Sequence, residues 1–189
     1  MGSVLLYSGG MDSYIIRKLL KPDKCLYIDF GIEQNTYERA LLPDDVEVVE
    51  LPLKQFMSDD GNNVILLRNL IFAAIAVNYG TDILLGGVAD DIHYDSAIEF
   101  VEKETELFNS FLENEGLPPV RVRAPFKLFT KEELLKKYVE AGYDVDDLLK
   151  YSWSCYSPHD GKECGKCTAC RRKLSAIENV KKYMGGDKL

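Results

Sequence analysis

The stretch that decides the fold reads Val4-Leu5-Leu6-Tyr7-Ser8-Gly9-Gly10-Met11-Asp12-Ser13. Its first four residues are apolar and predict a buried strand, and residues 12–20 follow the apolar spacing of a helix. The intervening Ser8-Gly9-Gly10 places its backbone amides, and those of the first helical turn, unpaired around one point. Because two glycines let the backbone approach an anion closely, the stretch predicts a phosphate-binding loop between a strand and a helix.

The side chains of this loop indicate a polyphosphate ligand. The hydroxyls of Ser8 and Ser13 can donate to phosphate oxygens. Asp12 would repel such a ligand unless a cation lay between them, so we assign it to Mg²⁺ binding or to charge placement. The alternative is a glycine-rich turn in which Asp12 caps the helix. The loop lacks the Gly-Lys-Ser/Thr ending of a Walker A loop and the third glycine of a dinucleotide-binding loop.

The chain up to residue 150 alternates short β-rich runs with helical patterns, which is typical of an open parallel sheet with helices on both faces. The predicted strands are residues 4–7, 25–29, 46–51, 83–86 and 120–123. The predicted helices are residues 12–20, 37–42, 67–79, 96–113 and one that Thr130 caps and that ends before Gly142. We therefore expect an α/β domain over residues 1–150 and a C-terminal lobe over residues 151–189.

The composition narrows the class of protein. A chain of 189 residues, of which 46% are hydrophobic, can bury the core of one domain. A net charge of −8 argues against direct binding of nucleic acid, which needs a surplus of lysine and arginine. The apolar runs are too short to span a bilayer, and no secretory segment opens the sequence. We expect a cytoplasmic protein that has no membrane partner.

Four of the five cysteines lie close together near the end of the sequence. They are Cys155, Cys164, Cys167 and Cys170, with the spacing C-x8-C-x2-C-x2-C. Gaps of two residues bring successive thiolates onto one ion, and four thiolates make a closed tetrahedral zinc site. Because a closed site leaves no position for water, we expect one structural Zn²⁺ per chain that stabilises the C-terminal lobe. An iron–sulfur cluster is the alternative that this spacing leaves open.

The S-G-G-x-D-S loop after the first strand resembles the signature of the PP-loop ATP pyrophosphatases. Members of that family adenylate a carbonyl or carboxylate oxygen, release pyrophosphate and let a nitrogen or sulfur nucleophile displace AMP. The C-terminal region narrows the resemblance. Trp153-Ser154-Cys155-Tyr156 and the following C-G-x-C-x-x-C from Cys164 look like the end of the 7-cyano-7-deazaguanine synthase family, where a closing helix follows.

Further matches to that family run in order along the whole chain. They are Asp29-Phe30-Gly31, Arg68-Asn69, Gly87-Val88 and Thr130-Lys131-x-Glu133. The resemblance implies that ATP with Mg²⁺ is held by residues 7–13 (Tyr7, Ser8, Gly9, Gly10, Met11, Asp12 and Ser13), Asp29 and Lys131. It implies that 7-carboxy-7-deazaguanine is adenylated, attacked by ammonia to give an amide and then dehydrated to the nitrile at the expense of a second ATP. It also implies a homodimer.

Two cations are candidates for the chemistry of adenylation. Negative charge builds on the α-phosphate and on the leaving pyrophosphate, so cations should converge there. Lys131 at the start of a helix and Arg68 beside an apolar helix are the candidates, and we expect them to act with Asp12 and Ser13 as the catalytic set. The alternative for either cation is a solvated surface charge.

The acceptor pocket is expected at the end of the fourth predicted strand. Open parallel sheets bind ligands outside the carboxyl ends of their strands. A carboxylate there can accept paired hydrogen bonds from the ring N–H and exocyclic amine of a guanine-like base. The predicted substrate residues are Arg68, Asn69, Gly87, Asp90, Asp91 and Asp95. For the three aspartates, the alternative is a hydrated loop. Trp153 and Tyr156 could stack on a purine-like ring or pack against the cysteine cluster.

The resemblance is thinnest after Gly87-Val88, where the family carries a longer segment with S-G-Y-P-D-C-R-P-E-F. Here only Asp95 and Glu99-Phe100 match it. The function therefore stays open between several alternatives. One is a divergent enzyme that stops at the 7-amido product, and for either product the fate stays open between tRNA and DNA modification. Another is a PP-loop nitrogen or sulfur transferase that acts on tRNA or protein, and a third is a nucleotide-binding module without catalysis.

Overall fold

The computed structural model describes residues 2–57 and 65–186. Its strands are β1 (Ser3–Leu6), β2 (Lys24–Asp29), β3 (Val46–Glu50), β4 (Asp82–Leu84) and β5 (Arg121–Arg123). All pairings between them are parallel, and the order across the sheet is β3-β2-β1-β4-β5. The order reverses at β1, so a crevice opens outside the carboxyl ends of β1 and β4, where such sheets bind ligands.

The helices cover both faces of this sheet. They are α1 (Met11–Leu20), α2 (Glu33–Arg39), α3 (Arg68–Ala76), α4 (Ile98–Asn114), α5 (Lys131–Glu140), α6 (Asp146–Tyr151) and α7 (Thr168–Gly186). Short 3-10 helices lie at Lys54–Phe56 and Tyr94–Ser96. No helix in the two described ranges is long and apolar enough to cross a bilayer.

Successive residues of β1 belong to separate hydrophobic cores on the two faces of the sheet. Leu5 packs against α1, α5 and α7, whereas Val4 packs against α3 and α4. The first core includes Leu5, Ile15, Leu134, Tyr138 and Val180. The second includes Val4, Ala73, Ile83 and Val101. Since successive residues of a strand point to opposite faces, this arrangement confirms the expected open parallel sheet between two helical layers.

The five predicted strands all form, but three helices differ from prediction. α2 begins at Glu33 because the Asn35 carboxamide oxygen accepts the amide of Ile32 at 3.1 Å and closes the first turn early. α3 ends at Ala76, three residues before the predicted end. α6 was not predicted. It is a short helix that starts where the Asp144 carboxylate accepts the amide of Asp146 at 2.9 Å.

The C-terminal region contributes to the first core. The side chains of Ile177 and Val180 on α7 are buried with Leu134 of α5. The predicted boundary at residue 150 stays a prediction. Residues 1, 58–64 and 187–189, which the predicted domains include, lie outside the described ranges.

A buried glutamate on α4 gives the fold a measurable pH dependence. Glu104 is 2% exposed, and neither of its carboxyl oxygens hydrogen-bonds to a described residue. Burial, aided by the charge of Asp95, raises the pKa of Glu104 to about 7 from 4.5. As the pH rises from 4.5 towards 7, the unfolded chain loses this proton while the folded chain keeps it, so stability falls. Above pH 7 the penalty is complete, on the order of 3 kcal/mol.

We expect Glu104→Gln to raise the thermal midpoint at pH 8 by several degrees, because the amide never ionises. The gain should disappear near pH 4.5. The matched control is Glu102→Gln, an exposed glutamate on the same helix, which should leave the midpoint unchanged. Thermal unfolding followed by circular dichroism measures both. An equal gain at both pH values would contradict a buried ionisable group.

Candidate active site

The loop between β1 and α1 is shaped by its own serines. The Ser13 hydroxyl accepts the Ser8 amide at 3.2 Å and donates to the Gly10 carbonyl at 3.1 Å. The Ser8 hydroxyl accepts the Gly10 amide at 3.3 Å. Gly9 has a φ of +71°, a conformation that favours glycine. The loop therefore keeps its shape through internal hydrogen bonds among the described residues.

The start of α1 suits an anion. The N-cap is Gly10, and no side chain caps the helix, so the first-turn amides lack a side-chain acceptor. The alternative in which Asp12 caps the helix is wrong, since Asp12 lies inside the first turn. The side chains of Tyr7 and Met11 are buried at 1% exposure each, so only their backbone can face a nucleotide.

Asp12 pairs with Lys131 across the crevice. The Lys131 ammonium donates to Asp12 Oδ2, and both side chains are largely buried, at 14% and 20% exposure. Burial raises the pKa of Asp12, and the charge and hydrogen bond of Lys131 lower it. Asp12 Oδ1 is buried and hydrogen-bonds to no described residue. An unpaired carboxylate oxygen beside an anion site fits the oxygen ligands that Mg²⁺ takes.

Basic residues from three segments hold the loop after β4. The Lys131 amide donates to Asp90 Oδ2 at 2.9 Å, and Arg172 of α7 donates to the Asp90 carbonyl at 2.5 Å. Lys127 donates to the carbonyls of Val88 and Asp91 at 3.0 Å each. Lys127 and Arg172 were not predicted. The charge of Asp91 raises the pKa of Asp12 and the charge of Arg172 lowers it, so both residues act on the phosphate loop.

The predicted substrate aspartates bind backbone amides in this structure. Asp91 Oδ2 accepts the Val88 amide at 2.9 Å, and Asp95 Oδ2 accepts the Asn69 amide at 3.1 Å. Asp95 thereby joins the loop after β4 to the start of α3, where Arg68 also lies. Asp95 Oδ1 is buried without a described partner. A substrate role for these residues stays a prediction.

Two further predicted residues have clear surroundings. A β-carbon at Gly87 would lie 3.1 Å from the Ser96 β-carbon, so glycine allows the loop after β4 to pack on the 3-10 helix. Asp29 accepts from Arg39 at 2.8 Å and from the Gly31 amide at 2.9 Å. Asp29 is therefore engaged within the turn after β2, and its role in ATP binding stays a prediction.

The four cysteines form one cluster. The Sγ atoms of Cys155, Cys164, Cys167 and Cys170 all lie within 4.8 Å of one another. Thiolates at ~2.3 Å from a tetrahedral ion would stand about 3.8 Å apart, so this set fits a single metal. The amides of Lys166 and Cys167 donate to Cys164 at 3.4 and 3.3 Å and lower the pKa of its thiol to about 6. That favours the thiolate, the form that binds metals.

Trp153 connects this cluster to the phosphate loop. Its amide donates to the Gly9 carbonyl at 2.9 Å, and its indole N–H donates to the Cys155 carbonyl at 2.9 Å. Its ring stacks on Tyr37 of α2, with the centroids 4.8 Å apart. Trp153 therefore packs against the cysteine cluster, which was one of its two predicted roles. Tyr156 remains 65% exposed.

A buried ion pair that was not predicted supports the same region. Lys173 is 1% exposed and donates to the Ser152 carbonyl at 2.8 Å and to Glu163 at 3.1 Å. Glu163 in turn accepts the Ser154 amide at 2.5 Å. The pair fixes the backbone on both sides of Trp153 and joins it to α7.

The sequence matches one protein family over most of its length. A family model described as "Queuosine biosynthesis protein QueC" matches residues 24–181. The chain is 27% identical over 216 residues to a 7-cyano-7-deazaguanine synthase of Nitratiruptor sp., covering 95% of each. It is 31% identical over 121 residues to a 7-cyano-7-deazaguanine synthase of Methanosphaera stadtmanae, covering 61% of this chain and 51% of the relative. The chain thus spans about half the length of this archaeal relative.

Among solved structures, one similar chain is the U34-tRNA thiolase NcsA from Methanococcus maripaludis with its 4Fe-4S cluster. The match covers 98% of this chain and 67% of that chain, at 13% identity and a TM-score of 0.43. The family match covers most of this sequence, from β2 to α7, and includes all four cysteines. The chain belongs to the QueC family of queuosine biosynthesis proteins.

Proposed function

We propose that this protein is an ATP-dependent ligase that converts 7-carboxy-7-deazaguanine and ammonia to 7-cyano-7-deazaguanine. The observation that supports it most is the junction of the phosphate loop with the cysteine cluster through Trp153 and Gly9. The synthase names of the relatives support the same reaction. The proposal includes a structural Zn²⁺ on the four cysteines, ATP with Mg²⁺, a cytoplasmic location and a homodimer.

The reaction would proceed by adenylation. A carboxylate oxygen of the acceptor attacks the α-phosphorus of ATP, and the bond to pyrophosphate breaks. Ammonia then attacks the activated carbon, the bond to AMP breaks, and the amide forms. A second ATP adenylates the amide oxygen, and loss of AMP gives the nitrile. The same residues serve both rounds, because each round places negative charge at the same phosphates.

The chain's own residues would stabilise that charge. The uncapped amides of α1 face the pyrophosphate, with Lys131 and Arg172 as the cations beside it. Asp12 holds the Lys131 ammonium in place, and its Oδ1 would serve as a ligand of Mg²⁺, which neutralises phosphate charge when bound. Arg68, at the start of α3, would be a third cation that stabilises the phosphate charge.

The assay that tests this function combines ATP, Mg²⁺, ammonia and 7-carboxy-7-deazaguanine. We expect two pyrophosphates per acceptor and a product with the mass of the nitrile. One pyrophosphate per acceptor and an amide product would favour the enzyme that stops at the amide. Pyrophosphate release with tRNA or a protein substrate, but not with the deazaguanine, would refute the proposal in favour of another transferase. Nucleotide binding without any turnover would favour the non-catalytic module.

Arg172 gives a direct test of the cation assignment. We expect Arg172→Ala to lower kcat/KM for ATP by roughly 10- to 100-fold, since a hydrogen bond to a charged group contributes about 1.5–3 kcal/mol. Arg171→Ala is the matched control, because Arg171 is the neighbouring arginine on the same helix and is exposed like Arg172. Steady-state pyrophosphate release measures both. Equal effects of the two variants would contradict a specific role for Arg172.

A further inference from the structure

Glu38 on α2 lies against the phosphate loop and has not entered the mechanism so far. A β-carbon added to Gly9 would lie 3.6 Å from the Glu38 β-carbon. The side chain of Glu38 is half-buried. The base of the Glu38 side chain therefore touches the loop. A carboxylate on a residue that adjoins a polyphosphate site is unfavourable unless a cation accompanies it.

Hydrogen bonds fix the Glu38 carboxylate from one side. The carboxamide oxygen of Asn35 accepts the amides of Phe30 and Ile32 at 3.2 and 3.1 Å, which sets the direction of its NH₂ group. That NH₂ group donates to the Tyr27 hydroxyl at 2.6 Å and to Glu38 Oε2 at 3.2 Å. The Tyr27 hydroxyl donates to the same Oε2 at 2.6 Å. Oε2 thus accepts two hydrogen bonds, and a further proton or donor belongs on Oε1.

Burial and the surrounding charges bring the pKa of the Glu38 carboxyl close to neutral pH. Burial raises the pKa of Glu38 to about 7, the hydrogen bonds from Tyr27 and Asn35 and the charge of Arg68 oppose this, and Asp29 adds to it. The Tyr156 hydroxyl lies within electrostatic reach of Arg68, Glu38 and Asp91. Residues of β2, α2, α3 and the C-terminal lobe therefore act electrostatically on one another near the loop.

We propose that Glu38 binds ammonium at the edge of the phosphate loop and accepts the proton whose loss produces the ammonia nucleophile. Ammonium supplies a cation that can contact the carboxylate directly, in addition to the more general charge of Arg68, and its N–H donors suit Oε1. The inference rests on the proposed function, which consumes ammonia.

The proton balance of this step is complete. Ammonium gives one proton to Glu38 Oε1 and becomes ammonia, whose lone pair forms the C–N bond to the adenylated carboxyl carbon. The C–O bond to AMP then breaks, and the electron pair leaves with AMP. The nitrogen loses its second proton to solvent as the amide forms. Glu38 returns its own proton to solvent before the next turnover.

The test separates nitrogen chemistry from nucleotide chemistry in the variant Glu38→Gln. The first measurement is exchange of labelled pyrophosphate into ATP in the presence of 7-carboxy-7-deazaguanine without ammonia. The second is amide formation from ammonium at pH 7, and the third is the reaction with hydroxylamine, which is uncharged at that pH and needs no deprotonation. Glu33→Gln, an exposed glutamate on the same helix, is the matched control.

We expect Glu38→Gln to keep its exchange rate and its hydroxylamine reaction, and to lose about 100-fold or more in kcat/KM for ammonium. The loss should shrink as the pH rises, because free ammonia then replaces ammonium. Loss of exchange, equal loss with both nucleophiles, or an unchanged ammonium reaction would each overturn the inference. An absence of exchange in the wild-type protein would overturn the proposed function itself, and the inference with it.

Discussion

Asp12→Ala is expected to lower pyrophosphate release at least 100-fold and to leave the fold intact. Asp12 holds the ammonium of Lys131 and presents an unpaired buried oxygen at the phosphate loop. Its removal would leave Lys131 without its carboxylate partner and would remove a ligand expected for Mg²⁺. Preorganised charges of this kind contribute roughly 100- to 1,000-fold each to catalysis.

The matched control for this prediction is Asp45→Ala. Asp45 pairs at 2.7 Å with Arg17, which lies in the last turn of α1, whereas Asp12 lies in the first turn. The side chain of Asp45 is 69% exposed. Its loss removes a carboxylate partner of α1 without touching the phosphate loop. We expect normal activity from this variant, since exposed ion pairs contribute about 0–1 kcal/mol. Substantial activity in Asp12→Ala, with an unchanged circular dichroism spectrum in both variants, would refute the assigned role.

The second large effect is expected from the cysteine cluster. Cys164→Ser should abolish binding of the single metal ion, because a closed site needs all four thiolates. Metal binding in small sites is linked to folding, so we expect loss of the metal to lower the thermal midpoint by more than about 10 °C. Because Trp153 donates to Gly9 and stacks on Tyr37, ATP affinity should fall as well.

Metal analysis by mass spectrometry, thermal unfolding and ATP titration measure these effects. Cys25→Ala is the matched control, since Cys25 is a buried cysteine in the first core, outside the cluster. It should keep the metal while losing some stability. One zinc per wild-type chain is expected. Iron with sulfide would replace the zinc assignment, and unchanged ATP affinity in Cys164→Ser would contradict the link through Trp153.

The strength of the local signals explains how much could be predicted from the sequence. The phosphate loop and the cysteine cluster each occupy a short stretch, so spacing alone placed Asp12, Ser13 and the four thiols. The parallel sheet followed from apolar runs separated by helical patterns. The early start of α2 depends on the Asn35 carboxamide, and the start of α6 depends on the Asp144 carboxylate. Asparagine and aspartate are equally common in turns, so the sequence alone does not distinguish these helix starts from turns.

Three residues near the site were not predicted, for a different reason. Arg172, Lys127 and Glu38 reach the site from α7, from the turn before α5 and from α2, and each looks like an ordinary surface charge in the sequence. Only the packing of these elements around the carboxyl edge of the sheet brings them together. The type and position of the aspartates after β4 predict substrate contacts, and the packing adds that the carboxylates of Asp91 and Asp95 accept backbone amides.

The central position of β1 also governs how the protein folds. β1 pairs with β2 on one side and with β4 on the other, and its register with β4 joins Ser3 to Asp82. These pairings must form before the residues on both sides of the phosphate loop are in place. Folding slows as contacts become more distant in sequence. Folding intermediates that lack the β1–β4 pairing should therefore be unable to bind ATP. Excess nucleotide should slow unfolding of the finished domain without speeding its formation.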